Sequence, residues 1–139
     1  MPSVFVAKSE SLQSWASDVG LTAHVYKLGL GEEGDEAGLA AALDAQAHAG
    51  RRDWQVLAVQ EASEGAEEEA LVRRAAGKET LVDPLYYPQI RRAPGIFKVK
   101  LLNVENHYMV REALEGQQIK RIKITPAHIA AYLLRLATG

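Results

Sequence analysis

Gly29, Gly31 and Gly34 fall at the spacing G-x-G-x-x-G within the stretch VYKLGLGEEG, residues 25–34. That spacing belongs to loops whose backbone amides cradle a dinucleotide pyrophosphate at a helix N-terminus. The neighbouring charges oppose such chemistry. Glu32, Glu33, Asp35 and Glu36 crowd the same turn; their carboxylates occupy the positive end of the following helix and repel phosphate. Glu61, the acid that ends the next strand-like run, also comes later than the roughly 20 residues the fingerprint requires. Glycines that let a strand turn into an acid-capped helix describe the stretch better.

The other reactive side chains are scattered. His24, His48, His107 and His128 show neither H-x-H nor H-x-x-x-H spacing, so no histidine metal site is expected. His48 reads as a helix C-terminal residue favoured by the dipole. Asp53, Asp83, Glu105 and Glu112 make no recognisable carboxylate pair, and Ser9, Ser11 and Ser14 lie outside any G-x-S-x-G elbow. Tyr86 and Tyr87, followed by Arg91 and Arg92, form an aromatic and basic cluster on a proline-rich loop. Aromatics stack bases and arginines meet phosphates, the usual means of single-strand contact. The alternative is that the tyrosines plug the edge of the core while the arginines cap a turn. Lys98, Lys100, Lys120, Arg121 and Lys123 alternate with apolar residues and would form one phosphate-binding face if their strands were neighbours.

The elements that position these residues belong to one domain of 139 residues, long enough to bury its own core. Apolar residues make up 47% and charged residues 24%, as in ordinary globular proteins. With no cysteine, disulfides, thiolate metal sites and cysteine nucleophiles are excluded. No apolar run approaches the roughly 20 residues of a membrane span, and the N-terminus lacks a signal-peptide pattern. The expectation is a cytoplasmic protein with no membrane partner. Residues 1–89 carry 7 Lys/Arg against 15 Asp/Glu, whereas residues 90–139 carry 9 against 3. Such asymmetry suits a polyanion-binding end or two halves that attract each other.

Along the chain, residues 4–6, 24–30 and 54–59 read as strands. Residues 9–20 begin with an N-cap serine and could start a helical turn. Residues 35–49 and 64–76 read as helices whose acids lead and whose glycines follow. Residues 96–102 and 118–124 alternate as strands, with a short helix over 106–116 between them. Thr125 and Pro126 open a last helix with Ile129, Tyr132, Leu133 and Leu136 on one stripe. The order predicts an α+β fold, a small mixed or antiparallel sheet flanked by helices.

Val4-Phe5-Val6 together with Val25-Tyr26-Lys27-Leu28-Gly29 resembles the GIY-YIG nuclease superfamily in its Y-K-I-G variety, over about residues 3–103. The Gly95-to-Val99 stretch, GIFKV, is similar to a closing segment of such domains. The resemblance implies a β-β-α-β-α-β core over 1–103, with 104–139 as a C-terminal appendage of one strand and one helix. It also implies phosphodiester hydrolysis through a tyrosine that positions water, a helix arginine on the phosphate and a glutamate-held divalent metal. Tyr26 would be the tyrosine, and Phe5, lacking a hydroxyl, stands at the first-motif position. Glu68, among Glu67, Glu68 and Glu69, is the metal candidate. The helix over 35–49 has no arginine; Arg51 and Arg52 follow it.

The expected protein is therefore nucleic-acid-associated and catalytically weak or inactive, with magnesium or manganese only if nuclease activity survives and no other cofactor. Lys27, Arg51, Arg52, Tyr87, Arg91, Arg92 and Lys98 are the candidates for touching DNA or RNA. A non-enzymatic interaction module, homodimeric through residues 118–139, is the alternative, and a small-ligand or nucleotide-binding protein comes third.

Overall fold

The computed structural model describes residues 2–32, 35–63, 65–82, 87, 90, 93–114 and 123–138, with side chains described throughout except in 111–114. Among them, five strands form one antiparallel sheet, β1 (Ser3–Ser9), β2 (Val25–Gly31), β3 (Trp54–Glu61), β4 (Thr80–Leu81) and β5 (Ile96–Lys98), in the order β3-β1-β2-β5-β4. Five helices flank it: α1 (Glu10–Asp18), α2 (Glu36–Ala45), α3 (Glu68–Ala75), α4 (Leu101–Leu114) and α5 (Pro126–Thr138). The α+β class read from the sequence is the one observed.

The sheet is covered on both faces, which explains why β1 is apolar almost throughout rather than alternating. Val4, Val6, Tyr26, Leu28 and Phe97 point to one side and pack with Leu71 of α3, Val104 of α4 and the apolar face of α5. Phe5, Ala7, Val25, Trp54, Val56 and Ile96 point to the other and meet Leu12 of α1 and Leu39 and Leu43 of α2. α5 gives the first cluster Ile129, Ala130, Tyr132, Leu133, Leu134 and Ala137, so its stripe is buried within the same chain.

Local chemistry sets the boundaries. The Ser9 hydroxyl caps α1 by accepting from Leu12 N–H at 3.2 Å, and α1 therefore joins β1 to β2. Asp35 caps α2, accepting from Gly38 N–H at 2.6 Å. α2 ends at Ala45, earlier than its composition suggests. Ala47 and Ala49 there adopt left-handed φ values of 47° and 56° around a short 3₁₀ turn, His48–Gly50. Before α5, Thr125 and His128 cap reciprocally: Thr125 N–H donates to His128 Nδ1 at 3.0 Å and His128 N–H to Thr125 Oγ1 at 3.3 Å.

Two further sequence expectations need correction. α3 starts at Glu68, not at 64. The strand expected over 96–102 stops at Lys98, and Leu101 already begins α4. The cause is Glu79, a carboxylate only 3% exposed. It accepts from Lys100 N–H at 2.8 Å, Asn103 Nδ2 at 2.9 Å and the Tyr132 hydroxyl at 2.6 Å. Those bonds hold the chain away from the sheet, start α4 and tie it to α5. The strand expected over 118–124 falls mostly outside the described residues. Among the described residues no helix is long and apolar enough to cross a membrane.

Because α5 is core, ending the chain at Thr125 should abolish cooperative thermal unfolding followed by circular dichroism. Leu133→Ala, at a fully buried position, should lower stability by about 3 kcal/mol in urea titration.

Candidate functional site

β5 pairs with β2 only from Val25 to Lys27, and the Gly95 carbonyl then accepts from Leu28 N–H at 2.9 Å. Beyond that point the chain turns away at Gly95, whose φ is 75° and where a Cβ would lie 2.3 Å from the Leu28 carbonyl oxygen. Only glycine fits there. The turn leaves Leu30 N–H facing a gap in the sheet. Glu68, in the first turn of α3, fills it: Oε1 accepts from Leu30 N–H at 2.9 Å and lies 3.3 Å from Lys27 Nζ. The helix N-terminus favours that carboxylate.

Lys27 is 2% exposed. Its ammonium also donates to the Pro94 carbonyl at 2.8 Å. Burial pushes the Lys27 pKa down, and the Glu68 charge opposes that fall. Room for the pair comes from the sequence Lys27-x-Gly29-x-Gly31, which leaves that face of β2 without side chains beyond Lys27. A Cβ on Gly29 would sit 2.7 Å from the Phe5 ring, 2.8 Å from Lys27 Cε and 2.9 Å from Glu68 Oε1; one on Gly31 would sit 2.5 Å from Leu39. The first two glycines of G-x-G-x-x-G are thus ladder residues, opposite Phe5 and Ser3, packed under side chains rather than free in a loop.

A cleft of about 310 Å³ opens over this face, walled by Phe5, Leu39, Leu43 and Pro94 with Lys27, His48 and Glu68 as its charged and titratable groups. His48 is held there by the two left-handed alanines, a conformation that costs roughly 1–2 kcal/mol per residue. Its carbonyl accepts from Trp54 Nε1 at 3.0 Å and its ring meets Trp54 edge-on at 5.6 Å. Its Nε2 is buried without a hydrogen-bond partner, an arrangement that costs about 1–3 kcal/mol. Burial first, and the Lys27 charge second, push the His48 pKa down to about 4, although the Pro94 carbonyl and Glu68 favour the proton. The ring is neutral at pH 7.

The candidates read from the sequence divide. Phe5, Lys27 and Glu68 line the cleft. Tyr26 is on the opposite face of the sheet, packed with the α5 cluster, where burial raises its pKa against a lowering hydrogen bond from Gln13. Lys27, not Tyr26, shares the side of Phe5. Lys27 is also too buried to lie on an exposed phosphate-binding surface. Arg51 and Arg52 line a shallow depression with Ser11, Ala47, Gly50 and Asp53. Burial would raise the Asp53 carboxyl, but hydrogen bonds from Ser9 and Ser11 outweigh it and hold the pKa down. Lys98 is half-buried on β5 and Tyr87 half-buried, the latter edge-on to Trp15 at 5.9 Å. Arg91 and Arg92 lie outside the described residues.

A divalent metal does not fit Glu68, whose Oε1 already faces an ammonium; among the described residues no three His, Asp or Glu side chains cluster as a metal site. Sequence reasoning missed His48 as a cleft residue, because two non-glycine left-handed positions leave no mark in the sequence. The burial of Lys27 did have a signal, in the glycines two and four positions on. Compared with protein-family models, curated proteins and solved structures, the chain matches none.

Removing Glu68 strands a buried ammonium, whereas removing Lys27 leaves a carboxylate that is 34% exposed and can turn to water. Glu68→Gln should therefore cost about 3 kcal/mol, the low end for a broken buried pair, and Lys27→Met clearly less; urea titration that reverses this order would refute the account. The folded-state pKa of His48 lies below its unfolded value. Its contribution to stability is then present above pH 6.5 and lost as pH falls towards 4. His48→Phe should flatten that part of the stability–pH curve.

Proposed function

We propose that the chain is a GIY-YIG-like, nucleic-acid-associated protein whose cleft does not hydrolyse phosphodiesters. One observation carries the reading. Phe5, Gly29 and Glu68, which the resemblance assigns from three separate stretches, converge on one spot, with the Gly29 position under 3 Å from both of the others once given a Cβ. The same spot lacks the means of cleavage. Phe5 has no hydroxyl to position water, α2 (Glu36–Ala45) contains no arginine, and Lys27 holds Glu68 at 3.3 Å, where its charge repels a divalent cation. Binding without cleavage is what such a site supports. Arg51 and Arg52 stand next to it, because the turn at 47–50 walls both the cleft and their depression.

Single-stranded DNA and RNA should bind at low salt and be released as salt rises. Arg51→Ala/Arg52→Ala should reduce the log–log salt slope by about 1.4, two phosphate contacts at about 0.7 each. No strand should be cut with magnesium or manganese. Metal-dependent cleavage that disappears in Glu68→Gln would overturn the reading, as would absence of binding at low salt.

A further inference from the structure

The cleft is close to electrically neutral, which makes it a poor phosphate site. The Lys27 ammonium already faces Glu68 at 3.3 Å, and His48 is uncharged at pH 7. Its walls are the side chains of Phe5, Leu39, Leu43 and Pro94. What the cleft does offer is hydrogen bonding. Lys27 has three N–H donors; Glu68 and the Pro94 carbonyl take two, leaving one for an occupant. His48 Nε2 is buried without a partner, and it accepts or donates according to tautomer. A volume of about 310 Å³ lies at the small end of ligand pockets. A flat, uncharged ring suits these walls, and adjacent acceptor and donor groups on its rim suit Lys27 and His48 in either tautomer.

We propose that the cleft binds a neutral heterocycle through a lactam edge, a ring carbonyl beside a ring N–H, as in the base of uridine, thymidine or inosine. The carbonyl oxygen accepts from the free Lys27 N–H, and the ring N–H or its neighbouring oxygen pairs with His48 Nε2. In a strand, the phosphates flanking that base fall near Arg51 and Arg52, across the turn at 47–50 that both sites share. This strand-bound form rests on the nucleic-acid reading above. The same ring chemistry also arrives as a free nucleoside.

Trp54 lies edge-on to His48 at 5.6 Å and reports on the site once the other tryptophan is removed by Trp15→Phe. In that background, uridine and inosine should shift Trp54 emission saturably, with a Kd at least about tenfold below that of adenosine, whose edge sets a ring-nitrogen acceptor beside an exocyclic amine in place of a carbonyl beside a ring N–H. His48→Phe removes the orphan nitrogen without touching the Lys27–Glu68 pair. Ala42→Phe, at an exposed residue of α2 on the rim of the cleft, blocks entry from outside the core and adds no second tryptophan. Each should weaken uridine at least about tenfold while far-ultraviolet circular dichroism stays native; if His48→Phe unfolds, Ala42→Phe decides. Octathymidylate should then bind more tightly than thymidine and lose that advantage when its bases are replaced by abasic sites. Nucleoside binding without oligonucleotide binding would keep the lactam site, assign it to free nucleosides and overturn the nucleic-acid reading. Oligonucleotide binding that ignores abasic replacement and Ala42→Phe would overturn the lactam site and leave the nucleic-acid reading standing. Equal affinity for uridine and adenosine, or no response to either, would also overturn the site.

Discussion

The Lys27–Glu68 pair spans the place where the sheet runs out of strand. β5 is three residues long, and past Gly95 no strand among the described residues accepts the amides on the outer edge of β2. Glu68 supplies the missing acceptor at Leu30 and at the same time neutralises an ammonium that is otherwise buried among apolar groups. A buried charge is tolerated only when paired and hydrogen-bonded, so α3, β2 and the 94–95 turn are tied to one another through a single carboxylate and a single ammonium. Gly29, Gly31 and Gly95 follow from the same constraint. Each removes a Cβ where the pair, Leu39 or a neighbouring carbonyl needs the space.

The second organising feature is the burial of the sheet on both faces. Because α1 and α2 cover one side while α3, α4 and α5 cover the other, adjacent residues of a strand serve different cores. Phe5 and Tyr26 are on neighbouring antiparallel strands yet face opposite ways, so they cannot act on one substrate. Lys27 takes the place beside Phe5. The cleft that results combines apolar walls with a compensated charge pair and an uncharged imidazole. Glu79, a buried carboxylate, plays a structural part by ordering α4 against α5 through Tyr132. Burial and Glu79 both push the Tyr132 hydroxyl pKa upwards, so that hydroxyl stays a donor.

Strands β1, β2 and β3 were legible because their apolar runs are short and bounded by turn residues, and α2, α3 and α5 because acids lead them or a Thr-Pro cap opens them. These are local signals, and the α+β class follows from them. The end of β5 was not legible. Residues 96–102 alternate as a strand does, but Glu79, some twenty positions earlier, captures Lys100 N–H and Asn103 and turns the chain into α4. A hydrogen bond between distant residues overrides a local pattern without altering it.

The same division holds at the site. By itself the sequence determined which groups were available: Phe5 without a hydroxyl, a helix without arginine, a lysine two positions before a glycine, and acids crowded around 32–36 that repel phosphate. It also carried the glycine spacing that makes room for Lys27, since side chains two apart on a strand share a face. Only the tertiary structure decided that Glu68 rather than Glu67 or Glu69 meets Lys27, that the G-x-G glycines lie beneath a salt bridge, and that His48 turns inward. Those outcomes depend on where β5 ends, on the placement of α3 over the gap and on two left-handed alanines. Each is fixed by packing between segments far apart in the chain, and no local pattern encodes it.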